Sequence, residues 1–579
     1  MPPAAPSSPA ALIARLEGAK SRFGRADGAA KRAALAALAR LPIRGARLLG
    51  RFHEALVFLR AHPDDPALLR AVEAALDGFA ARVAALGRPE SLDETGIAGT
   101  VVCCPLSYAA ARWLTTRFPE AVEIDWEDAD SDAAVGALVT FLSGLAAEEA
   151  LVEVSVPYRE WLAAAGGRGR RGGLDALLDG LAGGSRVAAA RQALYDALSL
   201  RVRWDLRDGP ASRTRLALPG SRVFFHRGAL RRWRGPLARR LPGAPVPVHR
   251  APAPEALALL DAARAAVVVR YREVHAFNFA DPADVLVADL GRGVRVAWFG
   301  VLPAHRLPLR AHYGYLLLKN GVPVGYGDAS FLFDRVEIAY NVFETFRQGE
   351  SAFMFVRLLA FLHQRFGVRA FLLDPYQIGH QNDEALDSGA FWFYDKLGFR
   401  PRRPDIARLA AAERRRIRTE PGYRSSRETL IRLGESGMAA AVGRGSASAA
   451  SLDVRRLGLR AVAAARAAPG GAGRVAGGVA RALDRIRWRA WSRPEREAFE
   501  RLAPILALIP DLAAWPARER RTLVDAIRAK GRPGEADYLR RLTAHRRLRR
   551  HLLALAGSAG PAQSVPDSSS SRRSSSRPK

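Results

Sequence analysis

Between Val294 and Phe343 four strand-like runs follow one another with almost no chain to spare, and this spacing restricts the fold more than any other feature. The runs are Val294–Leu302, Tyr313–Leu318, Val322–Phe333 and Val336–Phe343, rich in β-branched and aromatic residues. Lys319-Asn320-Gly321 separates the second from the third, and Asn-Gly tolerates the positive φ of a two-residue hairpin. Asp334-Arg335 makes the next connection. A parallel pair needs a crossover of a dozen residues or more, so strands joined this closely are antiparallel.

The last run leads into a different pattern. After Phe343 comes a polar turn, Arg347-Gln348-Gly349-Glu350-Ser351, then an apolar helical stripe of Phe353, Val356, Leu359, Ala360 and His363. A strand feeding a turn that opens a helix is suited to anions, because the first helical N–H groups lack internal partners. A second strand is expected at Ala370–Leu373, and then a short helix ending at Gly398-Phe399-Arg400-Pro401. Helices at Ala253–Val268 and Asp281–Ala288 precede the meander, and Glu428–Leu433 reads as a final strand.

In this order the residues resemble the GNAT superfamily of acyl-CoA-dependent N-acetyltransferases. That family has an Arg/Gln-x-x-Gly-x-Gly/Ala turn and an Asn-x-x-Ala-x-x-x-Tyr-x-x-x-Gly-Phe helix. Here Arg347 and Ala352 match the turn, Glu350 stands where the family has its central Gly, and Gly349 falls one place early. The helix matches at Ala390, Tyr394, Gly398 and Phe399, with Asp387 in place of Asn. The resemblance covers residues 254–433. It implies an α/β (α+β) domain with a GNAT-like mixed sheet, flanked by mainly helical N- and C-terminal regions.

It also implies acetyl-CoA, or another acyl-CoA, as co-substrate and an amine as acceptor. Its implied cofactor contacts are Val342, Phe343, Arg347, Gln348, Gly349, Glu350, Ser351 and Ala352. Tyr394 would be the acid that protonates the leaving thiolate, and Glu337 the base. Strand alternation places Glu337, Ala339, Asn341 and Phe343 on one face. His380, Asp383 and Glu384, in the polar loop after the second strand, are the substrate-loop candidates. The rival expectation is a catalytically lapsed GNAT-fold scaffold or a nucleic-acid-binding protein, favoured by Glu350, Asp387 and the basic charge. Ser351 and Ser388 lack a nucleophile elbow, and no phosphate loop of the NTPase type occurs.

The 579 residues carry 89 Lys and Arg against 58 Asp and Glu, a formal charge of +31. Such a balance favours anionic partners, although the excess is nearly all arginine in an alanine-rich chain, as GC-rich coding also produces. Five segments are expected: a mainly helical region at 1–250, the GNAT-like domain at 254–433, a flexible linker at 434–490, a basic helical region at 491–557 and a disordered Ser/Arg tail at 558–579. Within the first, helices are expected at Ala46–Ala61 and Ala67–Leu86, broken by His62-Pro63, and β-like pieces at Arg213–His226. The Gly/Arg run 166–173 reads as a linker, and the acidic run Val122–Asp132 as a solvated loop and helix cap. Ser492 and Glu495 form the pattern of a capping box, and Glu535–Ala556 reads as an Arg-rich helix suited to nucleic acid or an anionic surface. The only cysteines, Cys103 and Cys104, are adjacent; no disulfide framework or metal spacing exists, so no metal is expected. With no signal peptide pattern and no long apolar run, the expected location is cytoplasmic.

Overall fold

In the computed structural model the described residues are 8–142, 157–166, 172–182, 186–218, 222–233, 235, 237, 241, 243–442, 453–467 and 471–557. The chain divides into two compact units. The first is Met1–Ala447 with Pro533–Leu539, and the second is Ser448–Arg532 with Arg540–Lys579. The architecture is mixed α/β.

The first unit begins with helices Pro9–Ala19, Arg25–Ala39, Ala46–Ala61, Pro66–Asp77 and Phe79–Ala84. Asp65 caps the fourth by accepting the Leu68 N–H at 2.8 Å, with Pro66 at the first helical position. The single helix expected at Ala67–Leu86 is interrupted at Gly78, whose flexible backbone ends one helix and begins the next. A small sheet follows, β1 (Val101–Pro105), β2 (Val122–Ile124) and β3 (Arg201–Asp205), in the order β1-β3-β2. Its acidic run is neutralised rather than free, with Asp125 3.2 Å from Arg201 Nε and Glu123 3.7 Å from Arg203 Nε.

The large sheet contains β4 (Val248–Arg250), β5 (Ala280–Gly291), β6 (Val294–Val301), β7 (Ala311–Lys319), β8 (Val322–Leu332), β9 (Arg335–Ile338), β10 (Asn341–Val342), β11 (Ala370–Leu373), β12 (Arg400–Pro401) and β13 (Met438–Ala441). The order is β12-β13-β11-β9-β8-β7-β6-β5-β4, with β10 on β8. β5 to β9 form the antiparallel meander. The crossover helix Ser351–Phe366 then returns the chain so that β11 runs parallel to β9.

Packing uses both faces. On one, Trp298 stacks on Tyr315 at 5.6 Å and meets Phe361 and Phe366 of the crossover helix. On the other, Gly314 admits the short helix His275–Asn278, since a Cβ there would stand 2.8 Å from the Ala276 Cβ.

Several expectations are corrected. Asp281–Ala288 is not a helix but part of β5. Asp281-Pro282 imitates a helix cap, yet Val285 and Val287 and their neighbours are buried on both faces by β6 and the packed helices, and pairing prevails. Glu428–Leu433 is a helix, Arg427–Gly434, capped by Ser426, and the last strand is Met438–Ala441. The strands of the large sheet run from Val248 to Ala441. Arg213–His226 forms no strand among its described residues; Asn320 holds Phe224 there, accepting the Phe224 N–H at 2.9 Å and donating to its carbonyl at 3.0 Å.

In the second unit, helices Val454–Ala467 and Gly471–Ala482 occupy part of the expected linker. Ser492 stands at the N-cap but its hydroxyl bonds Glu495 rather than a backbone N–H, because Glu495 is drawn to Arg528 and Arg532. The final helix expected over Glu535–Ala556 is two, Ala536–Ala544 and Arg546–Gly557, separated at His545. Residues 167–171, 443–452, 468–470 and the tail 558–579 lie outside the described residues.

Candidate active site

The site begins where the sheet parts. β11 pairs with β9 at Ala370↔Arg335, Phe371↔Val336 and Leu372↔Glu337 only. Beyond Glu337 the strand keeps its register on β8, through the Ala339 N–H to the Asp328 carbonyl at 3.0 Å, Asn341↔Tyr326 and Val342↔Gly325. β11 meanwhile ends at Leu373 and the chain turns away through Pro375–Ile378, capped by Asp374. Gly327 lets the Tyr315 hydroxyl cross to the Ala339 carbonyl. A Cβ there would stand 2.1 Å from that oxygen.

The parting leaves one edge of Tyr340 to side chains. Its N–H donates to Gln377 Oε1 at 3.2 Å, and its carbonyl accepts from the Tyr394 hydroxyl at 3.5 Å. Tyr394 comes from the helix Ala390–Lys396, packed against Phe355, Phe393 and Phe399, and is 3% exposed. Burial pushes its phenol pKa up, so the hydroxyl stays protonated. The expected acid therefore lies at the parting of the strands, buried in an aromatic cluster.

The opposite face carries the acids. Glu337 lies 3.6 Å from Arg310 Nη1. Desolvation raises its pKa, Arg310 and Arg402 oppose this, and Asp374 adds to it. Asp328 sits on the neighbouring strand, near Glu337, Arg310 and His275, and burial first and Glu337 second push it up to about 6. Nearly half of the Glu337 side chain meets solvent, at 47%, which screens it. Asp328 is the better-tuned base, since a carboxyl near 6 is both ionised and basic at neutral pH. His312 and Ser330 lie along the same strands, Nδ1 to Oγ 3.0 Å. The sequence reading missed Asp328, although alternation along β8 puts Tyr326, Asp328 and Ser330 on one face, with Ser330 opposite Glu337.

At the other end of this face are arginines. Arg270 stacks on the Phe343 ring at 3.8 Å, and Arg272 donates to the Tyr326 hydroxyl at 3.0 Å. Arg347 pairs with Glu384, which also pairs with Arg272. Burial alone would raise the Glu384 pKa, but hydrogen bonding and charge from Arg272 and Arg347 hold it below the ordinary value. Arg270 and Arg272, missed in the sequence, extend the expected Arg347 site. This face thus runs from carboxylates at Asp328 and Glu337 to Arg272 and Arg347, with Arg270 buried against Phe343, where desolvation lowers its pKa.

The turn itself is held from the N-terminal side. The Thr345 hydroxyl donates to Glu54, and Arg213 Nη2 donates to Thr345 Oγ1 at 3.3 Å. Gly349 lies against His62, whose Nε2 would be 3.1 Å from a Cβ at that position. Glu350 neither caps the helix nor joins that face. It is buried, accepting from Arg292 Nε at 2.9 Å, the Arg231 N–H at 2.9 Å and Lys319 Nζ at 3.3 Å. Val342, Ser351 and Ala352 are half-buried and Gln348 is exposed. Of the loop candidates, Glu384 alone joins the arginines; Asp383 pairs with Arg427, and His380 is exposed.

Among the described residues no group of three or more His, Cys, Asp or Glu is arranged to hold a metal ion, and no helix is long and apolar enough to cross a membrane. Compared with known proteins, the chain matches no family model, no curated protein and no solved structure.

Proposed function

We propose that the first unit is an N-acyltransferase of the GNAT type, moving an acyl group from an acyl-CoA to an amine by direct attack. One observation carries the reading. The Tyr394 hydroxyl reaches the Tyr340 carbonyl where parallel pairing stops, and the Asp328 carboxyl lies near Glu337 on the adjoining strands. A protonated phenol thus lies at the strand edge and a carboxyl near 6 on the opposite face of the same strands. An antiparallel meander followed by a parallel strand–helix–strand crossover also agrees with the element order of that superfamily.

In this reading Asp328, supported by Glu337, takes the proton of an ammonium acceptor and leaves a neutral amine. The amine attacks the thioester carbonyl, Tyr394 gives its proton to the departing thiolate as the C–S bond breaks, and the amide nitrogen loses its remaining extra proton to solvent, from which Tyr394 is reprotonated. Arg272 and Arg347, with the N–H groups at the start of the crossover helix, supply the charge that suits the donor's phosphates. General acid and general base each contribute roughly 10²–10⁴-fold.

The test is release of free CoA thiol from acetyl-CoA, followed across a panel of amines. Amine-dependent release that Asp328→Asn abolishes supports the reading. Absence of CoA binding by calorimetry removes it.

A second reading attaches to the other unit. That unit holds 28 of the Lys and Arg residues against 9 of the acids, so it carries +19 of the +31 in about a fifth of the chain. Such a concentration favours an anionic partner, nucleic acid first, whose affinity would fall steeply with salt. A flat salt dependence in a filter-binding titration with RNA and duplex DNA removes this reading.

A further inference from the structure

One short segment, Pro375–Glu384, bonds both the unpaired strand edge at Tyr340 and the arginines Arg272 and Arg347. Near the parting of the strands, Gln377 Oε1 accepts the Tyr340 N–H. Among the arginines, the Glu384 carboxylate lies between Arg272 and Arg347 and pairs with both. The segment thus presents an amide to the strand edge and, seven residues on, an anion to the cations. A CoA thioester has the same two chemistries, amides along its arm and phosphates at its foot.

We infer that this segment stands in the donor's place, and that the donor binds by displacing it. A donor amide takes over the Tyr340 N–H, and a donor phosphate takes over the Arg272–Arg347 pair. The inference rests on the acyltransfer reading for the donor's identity, but the anion exchange at the arginines does not depend on it.

The contacts suit exchange. The Glu384, Arg272 and Arg347 side chains are 47%, 42% and 32% exposed, and solvated ion pairs of this kind are weak. A phosphate carries more charge and more acceptor oxygens than a carboxylate, so it competes well for two guanidinium groups. The segment also has its own pivot and its own anchor. Gly379 has φ +123° and Gln381 +53°, so the chain turns sharply between Gln377 and the helix Asp383–Asp387. Asp383 and Asp387 of that helix pair with Arg427, a tether that does not involve Tyr340, Arg272 or Arg347.

The test is calorimetric titration of the full chain with inorganic pyrophosphate and, separately, with CoA. Glu384→Gln is expected to tighten both by about tenfold, since a neutral amide competes poorly for the arginines, and adding Arg347→Gln should remove the gain. Gln377→Leu should tighten CoA and leave pyrophosphate unchanged. Pyrophosphate binding that Glu384→Gln leaves unchanged or weakens overturns the inference, whatever CoA does. If Glu384→Gln tightens pyrophosphate while CoA binds no variant, the carboxylate's occupancy of the anion site stands and the acyl-donor reading falls.

Discussion

Lys319 and Glu350 form an ion pair in the interior of the first unit, Nζ to Oε2 3.3 Å, with neither side chain more than 1% exposed. Arg292 shares the same carboxylate at 2.7 Å, and the Lys319 ammonium also donates to the Arg292 carbonyl. Burial, opposed by Glu350, lowers Lys319 to about 8. The carboxylate that stands in place of the family's central Gly is therefore committed to buried Lys319 and half-buried Arg292.

Glu350→Ala is accordingly expected to damage folding rather than to improve donor binding. Removing one member of a buried pair leaves uncompensated charge and costs about 3–5 kcal/mol. A urea midpoint that stays at the wild-type value would contradict the role assigned to Glu350.

His226 makes the first unit acid-sensitive. Burial first, then Lys319 and Arg292, lower its pKa to about 2, and among the described residues its buried Nε2 has no hydrogen-bond partner. The folded form keeps the ring neutral, while the unfolded chain takes up a proton below 6.5. The contribution is complete above 6.5 and is lost as pH falls from 6.5 toward 2, at a limiting slope of about 1.4 kcal/mol per pH unit. His62 shifts in the same direction for the same first cause. His226→Phe should flatten the fall in stability between pH 6 and 4 by about one proton. An unaltered slope in chemical denaturation across that range would refute it.

If Asp328 is the base, kcat/KM rises with unit slope as pH increases and levels off above about 6, because the carboxylate is the active form. Asp328→Asn should lower kcat by about 10²–10⁴-fold and remove that inflection. Glu337→Gln should shift the inflection downward and retain it, since Glu337 is one of the groups holding Asp328 up. An inflection that survives Asp328→Asn assigns it elsewhere.

Tyr394→Phe separates chemistry from packing. Among the described residues the hydroxyl makes one hydrogen bond, at 3.5 Å to the Tyr340 carbonyl, so its loss should cost under about 1 kcal/mol of stability. Thiol release should nevertheless fall by about 10²–10⁴-fold with CoA affinity preserved. Equal turnover in the two proteins would leave Tyr394 a packing residue.

Gly327→Ala tests the strand approach. The added carbon has no room between the Ala339 carbonyl and the Tyr315 hydroxyl, so β8 and the strand beside it must shift. A loss of about 1–3 kcal/mol is expected, with impaired turnover because Asp328 is the next residue. A melting temperature equal to wild type would show that the strands have slack.

Much of this layout was readable in advance. The Asn320-Gly321 hairpin and the short Asp334-Arg335 link forced an antiparallel meander, and the meander formed as expected. The stripe from Phe353 to His363 became the crossover helix, ending on Gly367 at φ +67°. Alternation placed Glu337 and Phe343 on the Arg310 and Arg270 face. Readings failed where local signals competed with pairing. Asp281-Pro282 imitated a helix start, and Glu428–Leu433, apolar enough for a strand, formed a helix behind its Ser426 cap.

The order of amino acids by itself determined which runs pair, where the turns fall and which residues share a strand face, because these depend on spacing within a few residues. Only the tertiary structure decided that Glu350 faces Lys319 and Arg292, that Asp328 is the carboxyl shifted to about 6, and that Gln377 meets the Tyr340 N–H while Glu384 meets Arg272 and Arg347. The groups that hold Glu350 lie 31, 58 and 119 positions away in the chain, at Lys319, Arg292 and Arg231. No local pattern carries that information.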